Sequence, residues 1–149
     1  MLNEEILAQV YSPEAQKKIA DLTENEGKVY TTESILGDPN AFDDVEIIFG
    51  SWGIPLLDEK LLRALPALRA VFYAAGSVRG FVSEAFWNRD LCLTSAYRAN
   101  AIPVAEYTAA SIVFALKKAW SLRQALQLGD DYPSVALKHA GVYRPSSVG

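Results

Sequence analysis

The chain has 149 residues, half of them hydrophobic and 21% charged, a composition typical of one globular domain and not of a disordered segment. Its formal net charge of −4 argues against a nucleic acid or an anionic membrane as partner, because those partners need a basic surface. The pairs Lys17–Lys18 and Lys117–Lys118 are isolated and do not form such a patch.

Single cysteine and histidine residues exclude further classes of site. Cys92 has no second cysteine to pair with, which fits a reducing cytoplasm, and its place between two leucines predicts a buried core residue. His139 has no second histidine or carboxylate cluster beside it, so we expect no metal site. The N-terminus lacks the pattern of a secretory signal, and we expect no apolar run to reach the length needed to cross a bilayer. We therefore expect a soluble cytoplasmic chain.

Strand and helix patterns alternate along the first two thirds of the chain. Ser12 followed by Pro13 predicts a helix that ends near Leu22. Residues 45–49 (Val-Glu-Ile-Ile-Phe) and 70–73 (Ala-Val-Phe-Tyr) are typical of parallel strands buried on both faces. Other predicted elements are a strand at 27–31, a turn or brief helix from 38, helices at 58–65 and 83–88, and a strand at 91–95. This alternation predicts an α/β fold with a doubly wound parallel sheet.

The character of the sequence changes after this region. Residues 103–127 are predicted to form one long helix, with a middle at 108–116 that is apolar nearly all round. Such a helix is expected to be buried between domains or subunits. Glu106 and the pair Lys117–Lys118 argue against a membrane span.

A glycine-bearing turn follows the strand at residues 70–73. Gly76 and Gly80 let the backbone approach a small anion at the carboxyl end of a strand, which is where open α/β sheets bind ligands. Arg79 adds a cation to the same turn. An ordinary tight turn with a surface arginine explains the pattern equally well, so both interpretations stay open.

Three phrases carry a resemblance to a known family. They are Leu-Arg-Ala-Val-Phe-Tyr-Ala-Ala-Gly-Ser-Val at 68–78, Asn-Ala-Ile-Pro-Val-Ala-Glu-Tyr-Thr at 100–108, and Arg-Pro-Ser-Ser-Val-Gly at 144–149. In this order and spacing, the chain from about residue 10 onward resembles the D-2-hydroxyacid dehydrogenase family, which includes phosphoglycerate and glycerate dehydrogenases.

The resemblance implies two regions. Residues 1–98 would be a flavodoxin-like substrate-binding domain, a three-layer α/β/α sandwich without its first strand. Residues 99–149 would be an interdomain and dimerisation helix with an arm that leads into a nucleotide-binding domain. The cofactor would be NAD or NADP, but its G-x-G-x-x-G motif and the family's catalytic residues would lie beyond this chain. We therefore expect an internal piece of a dehydrogenase that has no catalytic residue of its own.

The resemblance also implies a substrate site. Two consecutive backbone amides would hold the substrate carboxylate, best matched to Gly76 and Ser77, with an uncertainty of one position that brings in Val78. Arg79 stands where the family has an acidic or amide residue. It would either bond an acidic substrate or face water.

Other matched positions each have two interpretations. Trp52 would form an apolar wall of the cleft or cover the core, and Asn100 would line the cleft or only start the helix. Thr108 matches a residue near the nicotinamide, and Glu106 is expected to order the local backbone. Residues 120–126 and 132–143 match a dimerisation segment. Alternatively, the aromatic side chains Trp120 and Tyr132 pack within one chain.

Two function classes follow from these patterns. The first is an oxidoreductase that transfers a hydride between a nicotinamide cofactor and a 2-hydroxy or 2-oxo acid, with this chain supplying carboxylate binding. The alternative is a non-catalytic flavodoxin-like module that binds a carboxylate metabolite or regulates a partner. A receiver-type signalling domain ranks last, because the paired acids at a first strand are missing.

Overall fold

A computed structural model describes residues 4–24, 27–129 and 131. Within the chain, contacts divide into two compact units, Met1–Asn100 and Ala101–Gly149. The first unit contains a three-stranded, all-parallel open sheet, so the predicted α/β class is confirmed. Its strands are β1 (Ile47–Gly50), β2 (Ala70–Tyr73) and β3 (Cys92–Ser95), in the order β1-β2-β3.

The helices of the first unit precede and connect these strands. Side-chain caps begin several of them. Ser12 accepts from the Ala15 N–H at 3.3 Å, as the sequence predicts, and Asp58, predicted as the first residue of its helix, is instead its cap and accepts from the Leu61 N–H at 2.8 Å. The helices are α1 (Glu4–Val10), α2 (Pro13–Leu22), α3 (Thr32–Gly37), α4 (Glu59–Arg63) and α5 (Glu84–Trp87), with a 3₁₀ turn at Pro39–Phe42.

The strand predicted at residues 27–31 is absent from the sheet. Thr31 instead caps α3: its hydroxyl accepts from the Ser34 N–H at 3.2 Å, and Ser34 Oγ accepts from the Thr31 N–H at 2.9 Å. A reciprocal capping box of this kind sets a helix start. The β-branched residues that suggested a strand are therefore the entry to a helix.

The sheet is covered on one face and partly open on the other. Val71 and Tyr73 point into a core that contains the fully buried Leu57, Leu61 and Phe86. On the opposite face Phe72 is 38% exposed, and its ring stacks on Phe49 with centroids 5.4 Å apart. The prediction that these strands are buried on both faces is therefore wrong for the described chain.

Cys92 is exposed, which corrects its assignment to the core. It begins the edge strand β3, and its side chain shares the open face with that of Phe72, since Ala70 lies opposite Cys92 in the register. Period-2 alternation, rather than the flanking leucines, decides the burial of this residue.

The long helix predicted at 103–127 is two helices. α6 (Tyr97–Leu116) begins six residues before Pro103, which lies inside it, and α7 (Ala119–Gln127) follows Lys118. Lys118 is in the left-handed region, with φ 52°, and this conformation ends the first helix. A continuous apolar pattern does not reveal such a single-residue break.

The middle of α6 is not covered in the described chain: Val113 is 49% and Phe114 is 55% exposed. By length and composition α6 is able to cross a membrane, with a mean hydropathy of 1.3, so the expectation that no apolar run is long enough is wrong. One such helix is a weak indication, because core helices of soluble proteins meet the same criteria.

Candidate functional site

Two loops meet at the carboxyl edge of the sheet, as the sequence predicts. Gly50 at the end of β1 lies opposite Tyr73 at the end of β2 in a parallel pair. The loops at residues 51–53 and 74–80 therefore leave the sheet at the same edge. They are joined there by a hydrogen bond from the Ala74 N–H to the Gly50 carbonyl, at 2.8 Å.

The second loop presents a run of unpaired backbone donors. Within the described part of the chain, the N–H groups of residues 75–80 donate to no protein acceptor, whereas the neighbouring Ala74 and Phe81 N–H groups are both paired. Ala75 is fully buried. Since most buried N–H groups have partners, the unpaired N–H of Ala75 is a departure, whereas the exposed members of the run, such as Ser77 and Arg79, are open to water or to an external acceptor such as an anion.

The loop is anchored at its far end as well. The Leu57 N–H donates to the Phe81 carbonyl at 2.8 Å, and Leu57 and Val82 form an isolated parallel bridge. Ser83 Oγ then donates to the Leu57 carbonyl at 2.6 Å. The unpaired donors therefore lie between two fixed points.

Gly76 and Asn100 lie together. A Cβ built on Gly76 would come within 3.0 Å of Asn100 Nδ2, so the amide group occupies the space that a larger residue would need. The Gly76 carbonyl accepts from Ser95 Oγ at 3.1 Å. Among the residues that the structure describes, the Asn100 amide has no hydrogen-bond partner, and its donor is therefore available beside the loop.

Ser51 and Trp52 behave differently in the first loop. Ser51 is fully buried, with its hydroxyl oxygen 3.5 Å from the Ala74 carbonyl, which adds a second, longer link between the loops. Trp52 is 55% exposed, so it does not cover the core. Gly53 has φ +88°, a conformation that favours glycine, and the Ile54 N–H donates to the Ser51 carbonyl at 3.0 Å, which closes a turn at Trp52 and Gly53.

The remaining predicted substrate-site residues lie in the loop itself. Ser77 and Arg79 are exposed, and Val78 is partly buried against the core. Within the described ranges, Arg79 forms no ion pair, whereas Arg63 pairs with Glu59 and Arg69 with Glu46. Its cation is therefore available at the same loop as the unpaired N–H groups.

Tyr11 is a component of this edge that the sequence analysis missed. Its side chain is buried, and its hydroxyl donates to the Gly50 carbonyl at 3.0 Å. Burial raises the pKa of Tyr11 from its usual 10 to about 12. A lone tyrosine between two helices carries no motif, and only the fold brings it to Gly50 across the sequence.

The residue matched to the cofactor lies in the second unit. Thr108 is exposed on α6, and its hydroxyl donates to the Val104 carbonyl at 2.7 Å, one turn earlier in the helix. Glu106 is exposed on the same helix. Trp120 contacts Phe114 edge-to-face, with centroids 5.6 Å apart, and the segment at 132–143 lies outside the described residues.

Across residues 4–24, 27–129 and 131, no group of three or more His, Cys, Asp or Glu side chains is arranged to hold a metal ion. Comparison with known proteins does not supply a family either. No protein-family model matches the chain, and no curated protein matches it closely enough to identify a relative. An assignment of function therefore has to be argued from the residues and their geometry.

Proposed function

We propose that this chain is the substrate-binding part of an NAD- or NADP-dependent oxidoreductase of the D-2-hydroxyacid dehydrogenase type. In this proposal, the backbone amides of Gly76 and Ser77 bind the carboxylate of a 2-hydroxy or 2-oxo acid. The observation that carries the proposal is the run of unpaired N–H groups at residues 75–80, at the carboxyl edge of a parallel sheet.

The neighbouring side chains suit the same ligand. The Asn100 amide, beside Gly76, is a further donor for a carboxylate oxygen. Arg79 supplies positive charge at the loop in a chain whose net charge is negative. Trp52 offers an exposed apolar surface from the adjacent loop, suited to the substrate's carbon chain. We also propose that the first unit is a flavodoxin-like domain with three α/β/α layers.

The division of labour follows from what the described residues offer. A nicotinamide, when bound, accepts or donates the hydride at carbon 2 of the substrate. In this proposal the dinucleotide binds mainly outside the described residues, because none of their strand-to-helix turns has the pattern G-x-G-x-x-G and Thr108 uses its hydroxyl proton on its own helix. The role of this chain is therefore to bind and orient the substrate, and no chemical step is assigned to it.

The proposal also includes an oligomeric state and a cellular compartment. A homodimer through α6, α7 and the segment that follows would cover the exposed apolar side chains of α6. The proposed compartment is the cytoplasm, where the single exposed thiol of Cys92 would stay reduced.

Pyruvate, a small 2-oxo acid, tests the proposal. We expect it to shift the amide resonances of Gly76 and Ser77 in a ¹⁵N NMR titration. Pyruvamide, which lacks the carboxylate, is expected to leave them in place. The absence of any pyruvate-dependent shift in the loop would contradict the proposed site. Oxidation of NADH by the chain mixed with pyruvate would contradict the proposed division of labour.

One observation favours a second function, a binding module without chemistry. The residues of the candidate substrate site all lie within Met1–Asn100, a unit with its own core. The reading frame of the gene separates the two functions. A continuation that encodes a strand followed by G-x-G-x-x-G supports the oxidoreductase, and a stop codon after Gly149 supports the module.

A further inference from the structure

The Gly50 carbonyl is the point where three segments of the first unit meet. It accepts the Tyr11 hydroxyl at 3.0 Å and the Ala74 N–H at 2.8 Å. A carbonyl oxygen has two lone pairs, so these two donors use its full capacity. One donor comes from the segment between α1 and α2, and the other begins the loop that carries the unpaired N–H groups.

Tyr11 is itself fixed at both of its backbone groups. Its N–H donates to the Leu7 carbonyl at 2.9 Å, and its carbonyl accepts from Gln16 Nε2 at 2.8 Å. The phenol therefore extends to the sheet from a backbone that is held in place by two helices. Packing alone does not require the hydroxyl, because phenylalanine fills nearly the same volume, and a buried hydroxyl is costly unless it is bonded.

We infer that Tyr11 is a positioning residue for the anion site. Its hydroxyl orients the Gly50 carbonyl, that carbonyl holds the Ala74 N–H, and Ala74 sets where the donors of residues 75–80 point. Tyr11 touches no ligand in this arrangement. The inference rests on the proposed function for its ligand, but the geometric step from Tyr11 to Ala74 is testable without any ligand.

Tyr11→Phe removes only the hydroxyl, and Tyr30→Phe is the matched control. Tyr30 packs against Phe42 with ring centroids 5.1 Å apart, and its hydroxyl has no hydrogen bond in the described chain. Pyruvate affinity is measured for both variants by NMR titration. We expect affinity to fall about fivefold in Tyr11→Phe, as for the loss of one hydrogen bond, and to stay unchanged in Tyr30→Phe.

Hydrogen exchange of the Ala74 amide provides the measurement without ligand. We expect exchange to become about fivefold faster in Tyr11→Phe, because the acceptor of that amide is less well oriented. If Tyr11→Phe lowers only the urea midpoint, with pyruvate affinity and Ala74 exchange unchanged, Tyr11 is purely structural and the inference is wrong. If exchange changes but neither protein binds pyruvate, the positioning step holds and the proposed function fails.

A milder variant covers the case in which Tyr11→Phe does not fold, as judged by circular dichroism. Gln16→Ala removes the exposed side chain that holds the Tyr11 carbonyl and leaves the phenol in place. We expect a smaller, about twofold, change in both measurements for this variant. Unchanged values in folded Gln16→Ala would then overturn the inference.

Discussion

At the amino end of the sheet one side chain donates to several backbone carbonyls, whereas at the carboxyl end the N–H groups of residues 75–80 donate to no acceptor in the described chain. The side chain at the amino end is that of Arg89. Its guanidinium donates to the carbonyls of Leu62 at 2.6 Å, Leu65 at 3.1 Å and Pro66 at 2.9 Å, with Leu68 at 3.5 Å. These carbonyls belong to the last turn of α4 and to the segment that connects it to β2, so one side chain contacts most of this connection.

The contrast distinguishes groups that stabilise the fold from groups that we propose bind a ligand. An unpaired buried donor costs about 1–3 kcal/mol, so the fold gains no stability from leaving the N–H group of the buried Ala75 unpaired in this loop. Arg89 and Arg79 illustrate the difference within ten residues of sequence. The Arg89 guanidinium donates to backbone carbonyls, and the Arg79 guanidinium pairs with no acid in the described chain.

The largest expected effect is a loss of folding stability when Arg89 is removed at the amino end of the sheet. Arg89→Ala should lower the free energy of unfolding by about 2 kcal/mol, because it removes a donor from four carbonyls, and those of Pro66 and Leu68 accept no other hydrogen bond in the described chain. Arg63→Ala, which removes an exposed ion pair within α4, should cost less than about 0.5 kcal/mol. Urea unfolding measures both. Pyruvate affinity in folded Arg89→Ala should match that of wild type, and a parallel loss of affinity would show that the two ends are not independent.

A smaller effect is expected from a methyl group at the carboxyl end. Gly76→Ala places a Cβ 3.0 Å from Asn100 Nδ2, so the loop or the amide has to move, and pyruvate affinity should fall about tenfold. Gly80→Ala is the control in the same loop, because nothing lies within 4 Å of its added Cβ. NMR titration compares the two variants. Equal affinities would remove Gly76 from the site.

The charge at the loop should contribute less. Arg79→Gln is expected to weaken pyruvate binding about threefold at low salt, since an exposed cation is largely screened. Arg69→Gln at the amino end removes the same charge from the chain without approaching the loop. Titrations at two salt concentrations distinguish the variants: wild type and Arg69→Gln should lose affinity as salt rises, and Arg79→Gln should lose much less. Identical salt dependence of the affinity in all three proteins would mean that Arg79 faces solvent and does not contribute to pyruvate binding.

The smallest expected effect near neutral pH is that of Tyr11 titration on folding stability. Burial raises the pKa of Tyr11 in the folded protein to about 12, above its usual 10 in the unfolded chain. The protonated phenol therefore stabilises the folded state fully below pH 10, and this contribution is lost as pH rises toward 12. Urea unfolding from pH 8 to pH 12 should show a steeper fall in stability for wild type than for Tyr11→Phe. Parallel curves would mean that Tyr11 titrates normally.

Local patterns predicted much of the first unit. The strand at residues 70–73 has the predicted bounds, because a short apolar run lies there between Arg69 and small residues. Ser12 caps its helix as predicted, since a cap is a contact within four residues. The common edge of the two loops followed from parallel pairing, which a βαβ pattern implies.

The errors come from properties that a local pattern does not contain. Phe72 and Cys92 were assigned to buried positions, but burial depends on what covers each face of the sheet. Lys118 breaks a helix through one backbone conformation, and its neighbours in sequence give no sign of it. Tyr11 reaches Gly50 only because α1 and α2 bring it there, so a contact across 39 positions was not predictable from either residue.

The two anchors of the loop at residues 74–80 have a consequence for the thermodynamics of ligand capture. Ala74 is held by Gly50 at one end, and Phe81 is held by Leu57 at the other. The conformational entropy of ordering this segment is therefore lost during folding and not during association. A ligand as small as a single carboxylate forms few contacts and is unable to offset the ordering of a loose loop, so this preorganisation is what makes weak, reversible capture of such a ligand feasible.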